Sequence, residues 1–140
     1  LIPCASTKPF PQAPSHKHGY LKALKGKNVD IYVVSEPLGI VPYNWSRRYP
    51  NQNYDFPPKY LQGESRDILV DRFSQWYNTI GKKYQDLYLA LPGHHFSLVE
   101  DAGIPGVDLS ISACRDDACS DRIFRATAQE YIDFLRNNIP

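Results

Sequence analysis

An α/β fold of three layers, with helices on both faces of a short and mostly parallel sheet, follows from three observations. Apolar runs rich in β-branched residues recur along the chain, stretches with helical apolar spacing lie between them, and turn residues separate the two. Val29-Asp30-Ile31-Tyr32-Val33-Val34-Ser35 reads as a buried strand, Leu87-Tyr88-Leu89-Ala90-Leu91 as a second, and Val107-Asp108-Leu109-Ser110-Ile111-Ser112 as a third. Leu1-Ile2 reads as the end of another.

The intervening segments read as helices. Ser15 to Leu24 is expected to start from a serine cap and stop near Gly26. Arg66 to Tyr84 carries Ile68, Leu69, Phe73, Trp76, Tyr77 and Ile80 near helical spacing, with Ser65 as its cap. Gly93 to Ala102 ends at Gly103 and Pro105, and Asp121 to Asn137 presents Ile123, Phe124, Tyr131, Phe134 and Leu135 inward. Residues Glu36 to Gly63 break the rhythm with five prolines and no clear period, and so read as one long loop leaving a strand end.

A chain of 140 residues is one domain by size, able to bury roughly 70% of its unfolded surface without disulfides. Hydrophobic content of 42% with 22% charged residues excludes disorder as the default state. No apolar run approaches the length of a membrane span and no secretory leader is visible, which favours a cytoplasmic setting with reduced cysteines. The missing methionine leads us to expect a piece of a longer protein, with residues 1–140 as a single catalytic-core-like domain. Net charge is only +1, but residues 1–85 carry twelve Lys/Arg against six Asp/Glu and residues 86–140 four against nine. That asymmetry fits either a basic surface for a phosphate backbone or unevenly scattered solvated charge.

Chemistry concentrates just after the first strand end. Pro3-Cys4-Ala5-Ser6-Thr7-Lys8-Pro9-Phe10 and Ser15-His16-Lys17-His18 place a thiol, an ammonium, a hydroxyl and two imidazoles within a short span. In open α/β sheets ligands bind outside the carboxyl ends of the strands, where this segment falls. Cys4 reads either as a small buried residue or as a thiolate whose pKa is lowered by Lys8, the histidines or a helix start. His94-His95 follows the strand ending at Leu91. Neighbours on a helix diverge by about 100°, so one ring at most faces the crevice. Cys114 and Cys119 have C-x4-C spacing, unlike the usual C-x2-C metal pair, so no metal site is expected there. Signatures for dinucleotides, for phosphate-binding loops and for serine hydrolases are absent, and no cofactor is implied.

The Pro-Cys-x3-Lys-Pro-Phe segment with the following serine and histidine resembles a signature of the archaeosine synthase core domain. Ser35-Glu36-Pro37-Leu38-Gly39-Ile40-Val41-Pro42 is similar to a second segment of that family, and Tyr49-Pro50 with Tyr54-Asp55 to a third, in the same order over roughly residues 1–60. The resemblance implies a fold similar to uracil-DNA glycosylases and a place in tRNA modification. The implied reaction adds free lysine to the nitrile of 7-cyano-7-deazaguanine in tRNA, beside a PUA-type RNA-binding domain and a radical-SAM partner protein, with no membrane involved. It further implies Cys4 as nucleophile toward the nitrile, His16 or His18 as proton shuttle, Lys8 as charge stabiliser and Asp55 as the group that orients the amine. Ser15, Ser35, Glu36, Pro37, Leu38, Gly39, Tyr54 and His94 would shape the base pocket. Phe10 stands where the family has tyrosine, and Pro11-Gln12-Ala13-Pro14 displaces the Ser/His cluster. Two other functions fit the residues: a non-catalytic module that binds nucleic acid or a partner, and a glycosylase-like base-processing enzyme.

Overall fold

The computed structural model describes residues 1–5, 7–36, 38–48, 62–111 and 125–140. Its sheet is built from β1 (Ile2–Pro3), β2 (Tyr32–Ser35), β3 (Gly39–Pro42), β4 (Tyr88–Leu89) and β5 (Val107–Asp108). β1 pairs in parallel with β2, and β4 in parallel with β5. The two ladders meet at Leu1. Its backbone nitrogen donates to the Tyr88 carbonyl (2.5 Å) and its carbonyl accepts from the Ala90 amide (2.9 Å), the bonding pattern of a parallel pair. The first strand therefore lies between β2 and β4, in the middle of a β3-β2-β1-β4-β5 arrangement.

Among the described residues four α-helices cover this sheet: α1 (Leu21–Leu24), α2 (Glu64–Thr79), α3 (Gly93–Asp101) and α4 (Gln129–Asn138). Successive strand residues point to opposite faces, and the core divides accordingly. Val33, Ala90 and Leu109 join Phe10, Tyr20, Ala23, Tyr131, Ile132 and Leu135 on the α1/α4 side. Val34, Leu89 and Leu91 join Leu69, Phe73, Trp76, Leu98 and Val99 on the α2/α3 side. The expected three-layer α/β class with a mostly parallel sheet is what the chain forms. No helix among the described residues is long and apolar enough to cross a membrane.

Several elements depart from the sequence reading. The segment after Glu36 is not one long loop: β3 returns antiparallel to β2, with Ser35 opposite Gly39 and Tyr32 opposite Pro42. The reversal needs a backbone with φ of +104° at Gly39, which glycine alone adopts without strain. A 3-10 turn, Tyr43–Trp45, follows, and residues 49–61 lie outside the described set.

Ser15 is not a cap. It already has helical dihedrals, while the Ala13 carbonyl accepts from the His16 and Lys17 amides and Pro14 occupies the first turn, a position suited to its missing N–H. A π-type turn, His16–Tyr20, then leads into α1. In α2, Ser65 lies inside the helix and Ile68 is 49% exposed, because Leu69, Phe73 and Trp76 take the inward stripe. Ile80 falls beyond the helix end and is also exposed. α4 begins only at Gln129, after a turn at Ala126 and Thr127, and its inward residues are Tyr131, Ile132 and Leu135 with Phe134 half-buried. Ile123 and Phe124 lie outside the described residues.

Gly19 marks a tight backbone contact within the α1/α4 layer. A Cβ built there would lie 2.2 Å from the Ala126 carbonyl oxygen. Alanine normally gains up to about 1 kcal/mol over glycine inside a helix, but overpacking costs roughly 1–3 kcal/mol. The clash with backbone should win, and Gly19→Ala is expected to lower the urea midpoint; an unchanged or raised midpoint would contradict this packing.

Candidate functional site

Three strand ends converge on one group of side chains. Cys4 follows β1 and is held by its amide donating to the Val34 carbonyl (3.0 Å). Glu36 follows β2. His95 is the third residue of α3, which starts right after the β4 strand and Leu91-Pro92. Cys4 Sγ lies 3.5 Å from His95 Nε2, and the same nitrogen lies 3.5 Å from Glu36 Oε1. Glu36 and His95 are each only 3% exposed, and Cys4 is half-buried. His94, on the exposed rim, brings its Nε2 to 3.9 Å from Glu36 Oε1 and stacks at a tilt against His95, ring centroids 4.0 Å apart.

Burial dominates the electrostatics. It pushes the Cys4 thiol up, the Glu36 charge raises it further, and the Lys8 ammonium and the Glu36 backbone N–H pull the other way. Burial raises the Glu36 carboxyl and, with a smaller contribution from the charge of His94, lowers His95 to about 3. Neither Glu36 oxygen nor His95 Nδ1 has a hydrogen-bond partner among the described residues. A resting thiol, a neutral imidazole and an unsatisfied carboxyl group thus face one another. That is an arrangement able to move a proton from sulfur to nitrogen, or to accept a positively charged group.

The structure brings together only some of the residues expected from sequence. Cys4, Glu36 and His94 lie at this site. His95, which the sequence reading passed over in favour of His94, is the ring that turns inward. The signal was present: His95 lies three and four residues before Leu98 and Val99, so it shares their buried face.

His16 has a different position. It is fully buried, stacked between Phe10 and Tyr43 with centroids 5.6 Å from each, and edge-on to Tyr20. Its Nε2–H donates to the Pro3 carbonyl (2.8 Å), and its Nδ1 accepts from the Tyr43 hydroxyl (3.2 Å). Both ring nitrogens are thereby used: Nε2 braces the residue before Cys4 and Nδ1 ties the ring to Tyr43. Burial lowers its pKa to about 4, partly offset by the Pro3 bond. Lys8 donates to the Ala5 carbonyl and sits 4.4 Å above the Phe10 ring. The phenylalanine thus offers a face to the ammonium.

His18 is exposed on the π-type turn and Ser15 is half-buried beside it. Ser35 and Gly39 are buried at the β2–β3 turn and Leu38 is half-buried. Pro37, Tyr54, Asp55, Cys114 and Cys119 lie outside the described residues. A separate cavity of about 390 Å³, lined by Leu1, Asp30, Trp76, Tyr84 and Asp86 among others, opens at the opposite ends of the strands, away from Cys4.

A family model described as a domain of unknown function, DUF5591, matches residues 1–130. The chain belongs to the DUF5591 family. The DUF5591 match takes in the five described strands and Cys4, Glu36 and His95. Among related proteins, the archaeosine synthase subunit alpha of Thermoplasma acidophilum is 32% identical over 79 residues, covering 55% of this chain and 15% of that protein. The archaeosine synthase of Methanocaldococcus jannaschii is 27% identical over 108 residues, covering 71% of this chain and 18% of that protein. This DUF5591 domain is related to archaeosine synthases and spans under a fifth of the relatives it matches. No solved structure matches the chain, and the expected likeness to uracil-DNA glycosylases rests on the sequence resemblance alone.

The two buried histidines set a pH dependence. His16 titrates at about 4 and His95 at about 3 in the fold, against 6.5 ordinarily. As the pH falls the unfolded chain takes up these protons first. Their contribution to stability is full above about pH 6.5 and is lost toward pH 4 for His16 and toward pH 3 for His95. Glu36, shifted upward, acts in the opposite sense, so the informative quantity is a difference between variants. His16→Phe is expected to flatten the stability profile between pH 6.5 and 4 by on the order of 3 kcal/mol, measured by urea unfolding across that range. A slope equal to that of the wild type would show that His16 is not held neutral.

Proposed function

We propose that this domain takes part in tRNA modification and carries the thiol that reacts with a nitrile-bearing 7-deazaguanine base. The observation that carries the reading is the meeting of Cys4, His95 and Glu36 at the carboxyl ends of adjacent strands. It is supported by the relation to archaeosine synthases. In this scheme the Cys4 sulfur bonds to the nitrile carbon and the thiol proton, relayed by His95 Nε2, goes to the nitrile nitrogen, giving a thioimidate. A lysine amine then adds to the same carbon. The carbon–sulfur bond breaks, the proton shed by the amine returns to sulfur, and an amidine results.

Each described residue has a part in that sequence. Glu36, close to His95 and shielded from solvent, takes the proton from the entering ammonium and holds it until the thiolate leaves. His94 on the rim contacts the incoming base. Lys8 supplies a positive charge that favours the ionised form of the thiol. His16 and its aromatic neighbours hold β1 in place rather than move protons. His18, Tyr54 and Asp55 stay in the proposal as contacts to tRNA and lysine, from positions the described geometry does not include at the thiol.

The test is incorporation of labelled lysine into tRNA bearing 7-cyano-7-deazaguanine, with an RNA-binding partner domain supplied. Cys4→Ala is expected to abolish incorporation, and His95→Ala to reduce it by roughly 10²-fold or more. Incorporation left intact by Cys4→Ala would overturn the thioimidate route. RNA binding by the wild type without any incorporation would assign the domain to binding instead.

A further inference from the structure

We propose that Cys4 Sγ, Glu36 Oε1 and His95 Nε2 form a mononuclear zinc site with one coordination position left open. The donor atoms all lie within 4.8 Å of one another. The separation from sulfur to nitrogen is 3.5 Å, an ordinary thiol hydrogen-bond length, and that from nitrogen to carboxylate oxygen is also 3.5 Å, which is long for a hydrogen bond between those groups. Both also match the edges of a coordination tetrahedron. Zinc bonds of about 2.3 Å to sulfur and about 2.0–2.1 Å to nitrogen and oxygen place those atoms roughly 3.3–3.6 Å apart.

A second observation points the same way. The Glu36 carboxyl is 3% exposed and neither oxygen receives a hydrogen bond from any described residue. An unpartnered carboxylate at that depth is costly, and a cation at the centre of the three donors satisfies it directly. The mixture of thiolate, imidazole and carboxylate selects a borderline metal such as zinc over magnesium or calcium, which take oxygen ligands. Each ligand comes from a different strand end, so the fold assembles the site before the ion arrives.

Binding displaces the thiol proton to solvent, together with any proton on the carboxyl, and uses the Nε2 lone pair, with the imidazole proton on Nδ1. Coordination shares the sulfur lone pair with the metal and makes the thiolate a weaker nucleophile than the free one, so zinc restrains Cys4 reversibly. The metal site uses the same three side chains as the proposed nitrile chemistry. Its measurement needs no RNA, base or lysine, so either reading can fail without the other.

The experiment titrates the chelator-stripped chain with cobalt as a spectroscopic probe and then displaces it with zinc. One equivalent of cobalt should produce a thiolate-to-metal charge-transfer band. Cys4→Ser should remove that band, and Glu36→Gln and His95→Ala should each weaken binding at least about tenfold. A Cys114→Ser/Cys119→Ser double variant should keep it. As a check that needs no substitution, zinc should slow alkylation of Cys4 by iodoacetamide in the wild type, mapped by mass spectrometry. A band that survives Cys4→Ser or disappears in the Cys114/Cys119 variant, or alkylation of Cys4 indifferent to zinc, would overturn the site.

Discussion

Everything at the Cys4 edge depends on a first strand held from both sides. β1 is two residues long, yet Ile2 and Pro3 pair with Val33 and Val34 on one flank while Leu1 bonds Tyr88 and Ala90 on the other. A strand this short gains little from its own ladder. Its placement comes from filling the gap between β2 and β4 and from burying Ile2 against Phe10, Tyr20 and Val33. Because β1, β2 and β4 run in parallel, their carboxyl ends lie side by side, and the residues that leave them must meet.

His16 reinforces that arrangement from outside the sheet. Its bond to the Pro3 carbonyl satisfies a backbone acceptor at the point where the strand ends, and the Phe10 and Tyr43 rings clamp the imidazole above and below. A neutral, fully bonded histidine suits such a place: it donates from one nitrogen and accepts at the other without carrying charge into the core. The histidine that faces the thiol is His95, which has no Nδ1 partner among the described residues.

Much of this was legible in the sequence, and the misses have specific causes. Cys4 and Glu36 could be placed at strand ends because Leu1-Ile2 and Val29–Ser35 are recognisable apolar runs. His94 was preferred to His95 although Leu98 and Val99 mark which face of α3 is buried. β3 escaped because a four-residue edge strand bounded by prolines has no period of its own, and pairing with β2 alone makes it a strand. The late start of α4 was hidden for a similar reason. Residues 125–128 are compatible with helix, but the approach of Ala126 to Gly19 holds them in a turn.

The sequence by itself determined the alternation of elements, the two-faced strands and the presence of a thiol at the end of the first strand, since these rest on local periodicity and on residue type. Only the tertiary structure decided which groups face that thiol. Glu36 and His95 lie 32 and 91 residues from Cys4 along the chain, and no local pattern encodes a distance between them. Strand order brings them within reach, and burial then changes their chemistry: it raises the thiol and the carboxyl, lowers the imidazole, and leaves a carboxylate whose oxygens have no donor among the described residues.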